Sequence, residues 1–165
     1  MRLLGIDPGL QKTGWGIIES ENNSLRYIAS GLIKTNAKHA MSDRLATLYH
    51  GLTAVIDEWS PGETALEETF VNKNPASALK LGQARGVLLM SPALKGLSVS
   101  EYGANKVKKS VVGSGHASKD QMMMMVKTLL PACGTLSEDE ADALAVAITH
   151  AHYRVLSNSI SGVAI

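Results

Sequence analysis

The chain has 165 residues, 45% hydrophobic and 19% charged, which suits one compact α/β-sized core and excludes a disordered chain. Its single cysteine, Cys133, excludes an internal disulfide and a thiolate metal site. The net charge of +1 hides a segregation: residues 71–130 hold nine Lys/Arg and two acids, a net of +7, and the remainder holds seven and thirteen, a net of −6.

That basic centre fits either a phosphate-gripping face around an acidic pocket or a set of scattered, solvated lysines. No stretch is long enough to span a membrane, and "MRLLGIDPG" lacks a signal-peptide hydrophobic region. A cytoplasmic setting is expected.

"RLLGID" (Arg2–Asp7) reads as a buried strand stopped by Asp-Pro-Gly. "GWGIIES" (Gly14–Ser20) and "LRYIASGLIK" (Leu25–Lys34) alternate like strands, with "ENN" as their hairpin turn. Leu45, Leu48, Tyr49, Leu52, Val55, Ile56 and Trp59 recur at helical spacing, with Ser42 as the expected N-cap and Pro61-Gly62 as the stop. "TALEETF" (Thr64–Phe70) is a short strand. A helix follows over Asn74–Met90, capped by Asn74 with Pro75 at its first position.

"LSVSEY" (Leu97–Tyr102) is a further strand, followed by helices near Ala104–Val112 and Lys119–Leu130. The last helix runs from Glu138 to about Val155, and residues 156–165 read as a flexible tail outside the domain of residues 1–155. Three strands, then alternating strand and helix, imply a mixed sheet flanked by helices. Ala78, Gly82 and Gly86 form a row of small residues on the central helix. The row suits either tight packing on the sheet or a homodimer contact. Met122–Met125 cannot all face the core and read as adaptable packing.

The last helix opens with "LSEDEADALAVAITH". Ser137 and Glu140 match a capping box, and acids in a first turn favour the helix dipole. Asp142 needs another reason, because an acid at the edge of an apolar helix is costly without a partner. Asp139 and Asp142, at i and i+3, share one face. The pair is either a solvated acidic edge or half of a metal site. Asp7 and Glu67 or Glu68 stand at strand ends where such a helix start could meet them. Four carboxylates suit Mg²⁺ or Mn²⁺. Strand alternation puts only one of the two glutamates on a given face and does not choose between them. The histidines, His150 and His152 included, read as surface or packing residues.

"GIDPGLQKTGWGII", "ALEETF", "NPASALKLGQARG", "VKKSVVGSGHASK" and "DEADALAVAITH" resemble, in order and spacing, the RuvC-type Holliday-junction resolvases. The resemblance covers about residues 2–154. It implies a ribonuclease-H-like fold with a mixed five-stranded sheet, a homodimer, and Mg²⁺- or Mn²⁺-dependent nicking of four-way junction DNA alongside a branch-migration motor. It places the catalytic, metal-holding acids at Asp7, Glu67, Asp139 and Asp142, with two ions per subunit. It puts Lys108 and Lys119 near phosphates, Phe70 against distorted bases, and the dimer on the Ala78–Gly82–Gly86 helix. The other cations expected on DNA are Lys73, Lys80, Arg85, Lys106 and Lys109.

The reaction expected is in-line hydrolysis of a backbone phosphate, with Lys119 stabilising developing charge. "LLPACGTLSEDE" and the tail beyond Arg154 depart from the family pattern. "GIDPG" also looks like the first phosphate loop of actin-like ATPases, but 165 residues supply only one of their two lobes. A junction-binding module without cleavage would have no need of four carboxylates.

Overall fold

The computed structural model describes residues 1–22, 24–68 and 74–161, without the side chains of 155–161. Strands β1 (Arg2–Asp7), β2 (Lys12–Glu21), β3 (Ser24–Lys34), β4 (Glu63–Glu68) and β5 (Ser98–Gly103) form one sheet in the order β3-β2-β1-β4-β5. β1 runs antiparallel to β2 and parallel to β4, and β4 is parallel to β5. The sheet is therefore mixed, as the element order implies.

Helices α1 (Met41–Trp59) and α2 (Pro75–Leu94) cover one face, and α3 (Ala104–Val112), α4 (Lys119–Leu129) and α5 (Glu138–Ser161) the other. The alternation of β1 splits its side chains between two cores. Leu3 enters the α3–α5 layer, whereas Leu4 and Ile6 enter the α1–α2 layer. A strand buried on both faces must be apolar throughout, which is why "RLLGI" carries no charge after Arg2.

Several boundaries differ from expectation. Ser42 is not the N-cap of α1: the helix starts at Met41, Ala40 occupies the cap, and no side chain caps it. Apolar spacing that begins at Leu45 does not specify the turn before it. α1 ends with Ser60 at φ 47°, ahead of Pro61-Gly62. α2 continues past Met90 to Leu94 through Pro92, because Leu88, Ser91 and Pro92 are buried and packing outweighs the lost amide. α5 runs to Ser161 rather than ending near Val155. Asn74 accepts bonds from the amides of Ala76 and Ser77 and Pro75 opens α2, as read. Met122 is buried and Met124 is 64% exposed, so the methionine run divides between core and surface.

Helix α5 lies unusually close to the sheet. A Cβ on Gly5 would fall 2.1 Å from the Ala143 carbonyl oxygen, and one on Gly14 would fall 2.0 Å from that of Asp139. Only strand glycines permit such an approach. The helix answers with small residues: Ala141, Ala143, Ala145, Ala147 and Ala151 are all buried. This contact fixes where the acidic start of α5 sits.

Candidate active site

Asp7 closes β1 and stands one residue beyond the Ile6–Leu66 pair of the parallel β1–β4 ladder, which brings it beside Glu67. The two side chains hydrogen-bond each other. Gly14, across the β1–β2 ladder from Asp7, lies beneath Asp139. The first turns of α5 therefore carry Asp139 and Asp142 over the end of β1. Glu67 rather than Glu68 joins this group, so tertiary placement decides what alternation left open.

The aim of α5 is set by its cap. The Ser137 amide and hydroxyl both donate to Glu140 Oε2, at 3.0 and 2.7 Å, and the Glu140 amide bonds Ser137 Oγ at 3.3 Å. Ser30 Oγ donates to Glu140 Oε1 at 2.9 Å, tying β3 to the same turn. No local pattern in the sequence marks Ser30, because its partner lies 110 positions away.

Glu67 and Asp142 line a cavity of about 210 Å³ with Lys108, Lys119, Val107 and Met122. Burial raises the Asp7 carboxyl, and Glu67, Asp142 and Asp139 raise it further by charge repulsion. Burial and Asp142 raise Glu67, against the Asp7 hydrogen bond and the Lys108 charge, which lower it. Burial also raises Asp142; Lys119 opposes this, while Asp139 and Glu138 add to it. The Lys119 ammonium donates to Glu138 Oε2 at 2.6 Å, and that bond holds its proton more firmly. Gln11 and Lys12 flank Asp139 in a neighbouring depression with Ser137 and Glu138. They follow the Asp7-Pro8-Gly9 turn, a position that could have marked them in the sequence.

Among the described residues, no three His, Cys, Asp or Glu side chains converge tightly enough to grip an ion as they stand. The donor chemistry nevertheless fits a hard divalent cation. The group is oxygen-only, partly buried and mutually repulsive, and a cation removes the repulsion that raises all three carboxyls. No other metal class suits an all-carboxylate set as well.

Lys80, Arg85, Lys106 and Lys109 do not line the cavity. Lys80 and Lys109 are exposed on α2 and α3. Lys106 sits over two rings, 4.0 Å from the centroid of Tyr153 and 5.1 Å from that of Tyr102. Arg85 turns inward: Nη1 donates to the Glu67 carbonyl oxygen at 2.7 Å and Nη2 pairs with Glu101. Phe70 and Lys73 lie outside the described residues.

Of the small-residue row, Gly82 and Gly86 have nothing within 4 Å of a would-be Cβ, so they do not pack on the sheet. Leu79, Met90 and Leu94 on the same helix are 68%, 47% and 66% exposed. His150 is a packing residue, as read. Glu63 can only accept, so Nε2 donates to its Oε2 at 2.9 Å, and Nδ1 accepts from the Tyr102 hydroxyl at 2.9 Å.

The family model described as crossover junction endodeoxyribonuclease RuvC matches residues 3–150. A relative of that name from Paramagnetospirillum magneticum is 60% identical over 154 residues, 93% of each chain. Another from Rhodopseudomonas palustris is 53% identical over 163 residues, 99% of this chain and 94% of its own. Among solved structures, Thermus thermophilus RuvC in complex with Holliday junction substrate superposes with a TM-score of 0.88 at 30% identity, covering 95% of this chain and 96% of that one.

Proposed function

Because the chain belongs to the RuvC family of crossover junction endodeoxyribonucleases, we propose that it resolves four-way DNA junctions by paired, metal-dependent phosphodiester hydrolysis during recombination and repair. The observation that carries this is the meeting of Asp7, Glu67 and Asp142 at one end of a ribonuclease-H-like sheet, beside Lys108 and Lys119. Residues far apart in sequence converge there with the charges that the reaction requires.

Asp7, Glu67, Asp139 and Asp142 would hold two Mg²⁺ or Mn²⁺ ions. When bound, such ions activate water and neutralise charge on the scissile phosphate. Lys108, at the cavity wall, positions the phosphate and supplies charge that the carboxylates lack. Lys119 is exposed and, among the described residues, pairs with exposed Glu138, so it can swing to a phosphate at little cost. Phe70 follows the Glu67 strand in sequence and is assigned to stacking on opened junction bases, worth roughly 1–3 kcal/mol per base.

A four-way junction has two-fold symmetry, and a two-fold dimer presents one site to each of two opposed strands. The exposed apolar face of α2 around Gly82 and Gly86 supports the assignment of the dimer contact there. A branch-migration motor is the expected assembly partner, and the cytoplasm the expected place of work. No helix of the described residues is long and apolar enough to cross a membrane.

The test is a nicking assay on a labelled four-way junction and a matching linear duplex, with Mg²⁺ and with chelator. Wild type should make paired, metal-dependent cuts in the junction alone, and Asp142→Asn should bind without cutting. Tight junction binding without cleavage under any divalent metal would replace the nuclease reading with a binding module.

A further inference from the structure

We propose that Arg85 is a positioning residue for metal binding: its guanidinium, 2.7 Å from the Glu67 carbonyl oxygen, holds the Glu67 main chain in place against the repulsion of its neighbouring carboxylates. This rests on the reading of Glu67 as a metal ligand.

Arg85 belongs to α2, on the face of the sheet opposite the cavity. Its neighbours Ala84 and Leu88 pack with Leu66 in the α1–α2 core, whereas Glu67 opens toward α3, α4 and α5. The guanidinium therefore reaches the main chain of Glu67 and not its carboxylate. Its two terminal nitrogens are engaged by the Glu67 carbonyl and Glu101, and Arg85 does not line the cavity. Its side chain is 18% exposed, which leaves little surface for a nucleic-acid contact.

The need for such an anchor follows from the charge distribution. Glu67 is the penultimate residue of β4, where the ladder is about to end. Its carboxyl lies beside Asp7 and shares the cavity with Asp142, so like charges crowd one side of the strand. The pairing with β1 ends at Leu66, so beyond it β4 is held by β5 alone; a strand end so held would relieve that repulsion by turning the glutamate outward, and the ligand set would open. Arginine suits the clamp because its planar fork makes two bonds in fixed directions. Nη1 takes the Glu67 carbonyl and Nη2 takes Glu101 on β5, so the guanidinium joins β4 to β5 through α2. A lysine, with one ammonium, cannot hold both in that geometry. Groups that orient metal ligands rather than bind the metal commonly change affinity by about tenfold or more when removed.

The experiment titrates DNA-free protein with Mn²⁺ by calorimetry for wild type, Arg85→Gln, Arg85→Lys, Glu101→Gln and Glu67→Gln. It also measures junction affinity in chelator and cleavage against metal concentration. Arg85→Gln should weaken Mn²⁺ binding about tenfold. Cleavage should recover at raised metal, and junction affinity in chelator should stay comparable to wild type. Arg85→Lys should recover part of the Mn²⁺ affinity, and Glu101→Gln should show a smaller shift in the same direction.

Unchanged Mn²⁺ affinity in these variants overturns the proposal. So does a loss of junction affinity in chelator that matches the loss of cleavage, since that marks a DNA contact. Should Arg85→Gln fail to fold, Arg85→Lys and Glu101→Gln carry the same test. Equal Mn²⁺ binding by wild type and Glu67→Gln removes the underlying assignment of Glu67, an outcome separable from the others.

Discussion

The carbonyl oxygen of Asp139 occupies the space that a side chain on Gly14 would need, 2.0 Å from an ideal Cβ. Backbone cannot retreat as a flexible side chain can. Gly14→Ala should therefore push the first turn of α5 away from β1, and Asp139 and Asp142 with it. The expected outcome is a stability loss of about 1–3 kcal/mol. Cleavage should fall about 100-fold, as misplacement by an ångström can cause, with junction binding in chelator largely kept. Denaturant melts and single-turnover nicking check both. Wild-type cleavage by a folded Gly14→Ala protein would mean that the helix start does not set the ligand geometry.

Gly82 makes the opposite case. Its Cβ space is open and it lies inside a helix, where glycine costs about 0.5–1 kcal/mol relative to alanine. Gly82→Arg should keep the fold by circular dichroism and sediment as a monomer, because a long cation blocks close approach of a second α2. Gly82→Ala should disturb assembly less. A Gly82→Arg protein that sediments as an unchanged dimer would place the partner contact on another face.

Asp7 links pH to stability in the metal-free protein. Its folded pKa is raised from 3.8 to about 8, by burial first and then by Glu67, Asp142 and Asp139. Below pH 3.8 the carboxyl is protonated in both states and adds no penalty. Above that, the unfolded chain ionises freely while the folded one holds its proton, so stability falls as pH rises until about 8. Glu67 and Asp142 act in the same direction. In chelator, the melting temperature should drop by roughly 5 °C from pH 5 to pH 8. Asp7→Asn or added Mg²⁺ should flatten that slope. A wild-type profile as flat as that of Asp7→Asn would show that the carboxyl cluster is not strained.

Lys108 lines the cavity and its charge favours the ionised forms of Glu67 and Asp142. Its removal should have effects of opposite sign on two ligands. Lys108→Ala should weaken junction binding and reduce the slope of log affinity against log salt by about one. It should also tighten Mn²⁺ binding, because a competing internal cation is gone. Fluorescence anisotropy across a salt series and calorimetry without DNA measure the two effects. A weaker Mn²⁺ response would make Lys108 a structural support of the carboxylates rather than their counterion.

Periodicity was enough to find the strands, the helices and the capping box of Ser137 and Glu140, because these depend on neighbours within a turn or a pleat. The family resemblance of the acidic and glycine motifs implied Asp7, Glu67, Asp139 and Asp142 as the ligand set. What remained hidden depended on contacts between distant residues. Alternation by itself could not separate Glu67 from Glu68, since it fixes opposite faces without saying which is covered; the resemblance chose Glu67, and the sheet register sets it beside Asp7. The role of Gly14 required knowing that α5 crosses above it.

Arg85 read as one more cation of a basic segment. Only the packing of α2 on the far face of the sheet turned its guanidinium from solvent to the Glu67 main chain. The small-residue row at Gly82 and Gly86 was equally ambiguous, and the tertiary structure left its space open. Local pattern determined which elements exist and which chemical groups they carry. Sheet order, register and the close seat of one helix decided which of those groups meet, because proximity across the chain is set by packing and not by spacing.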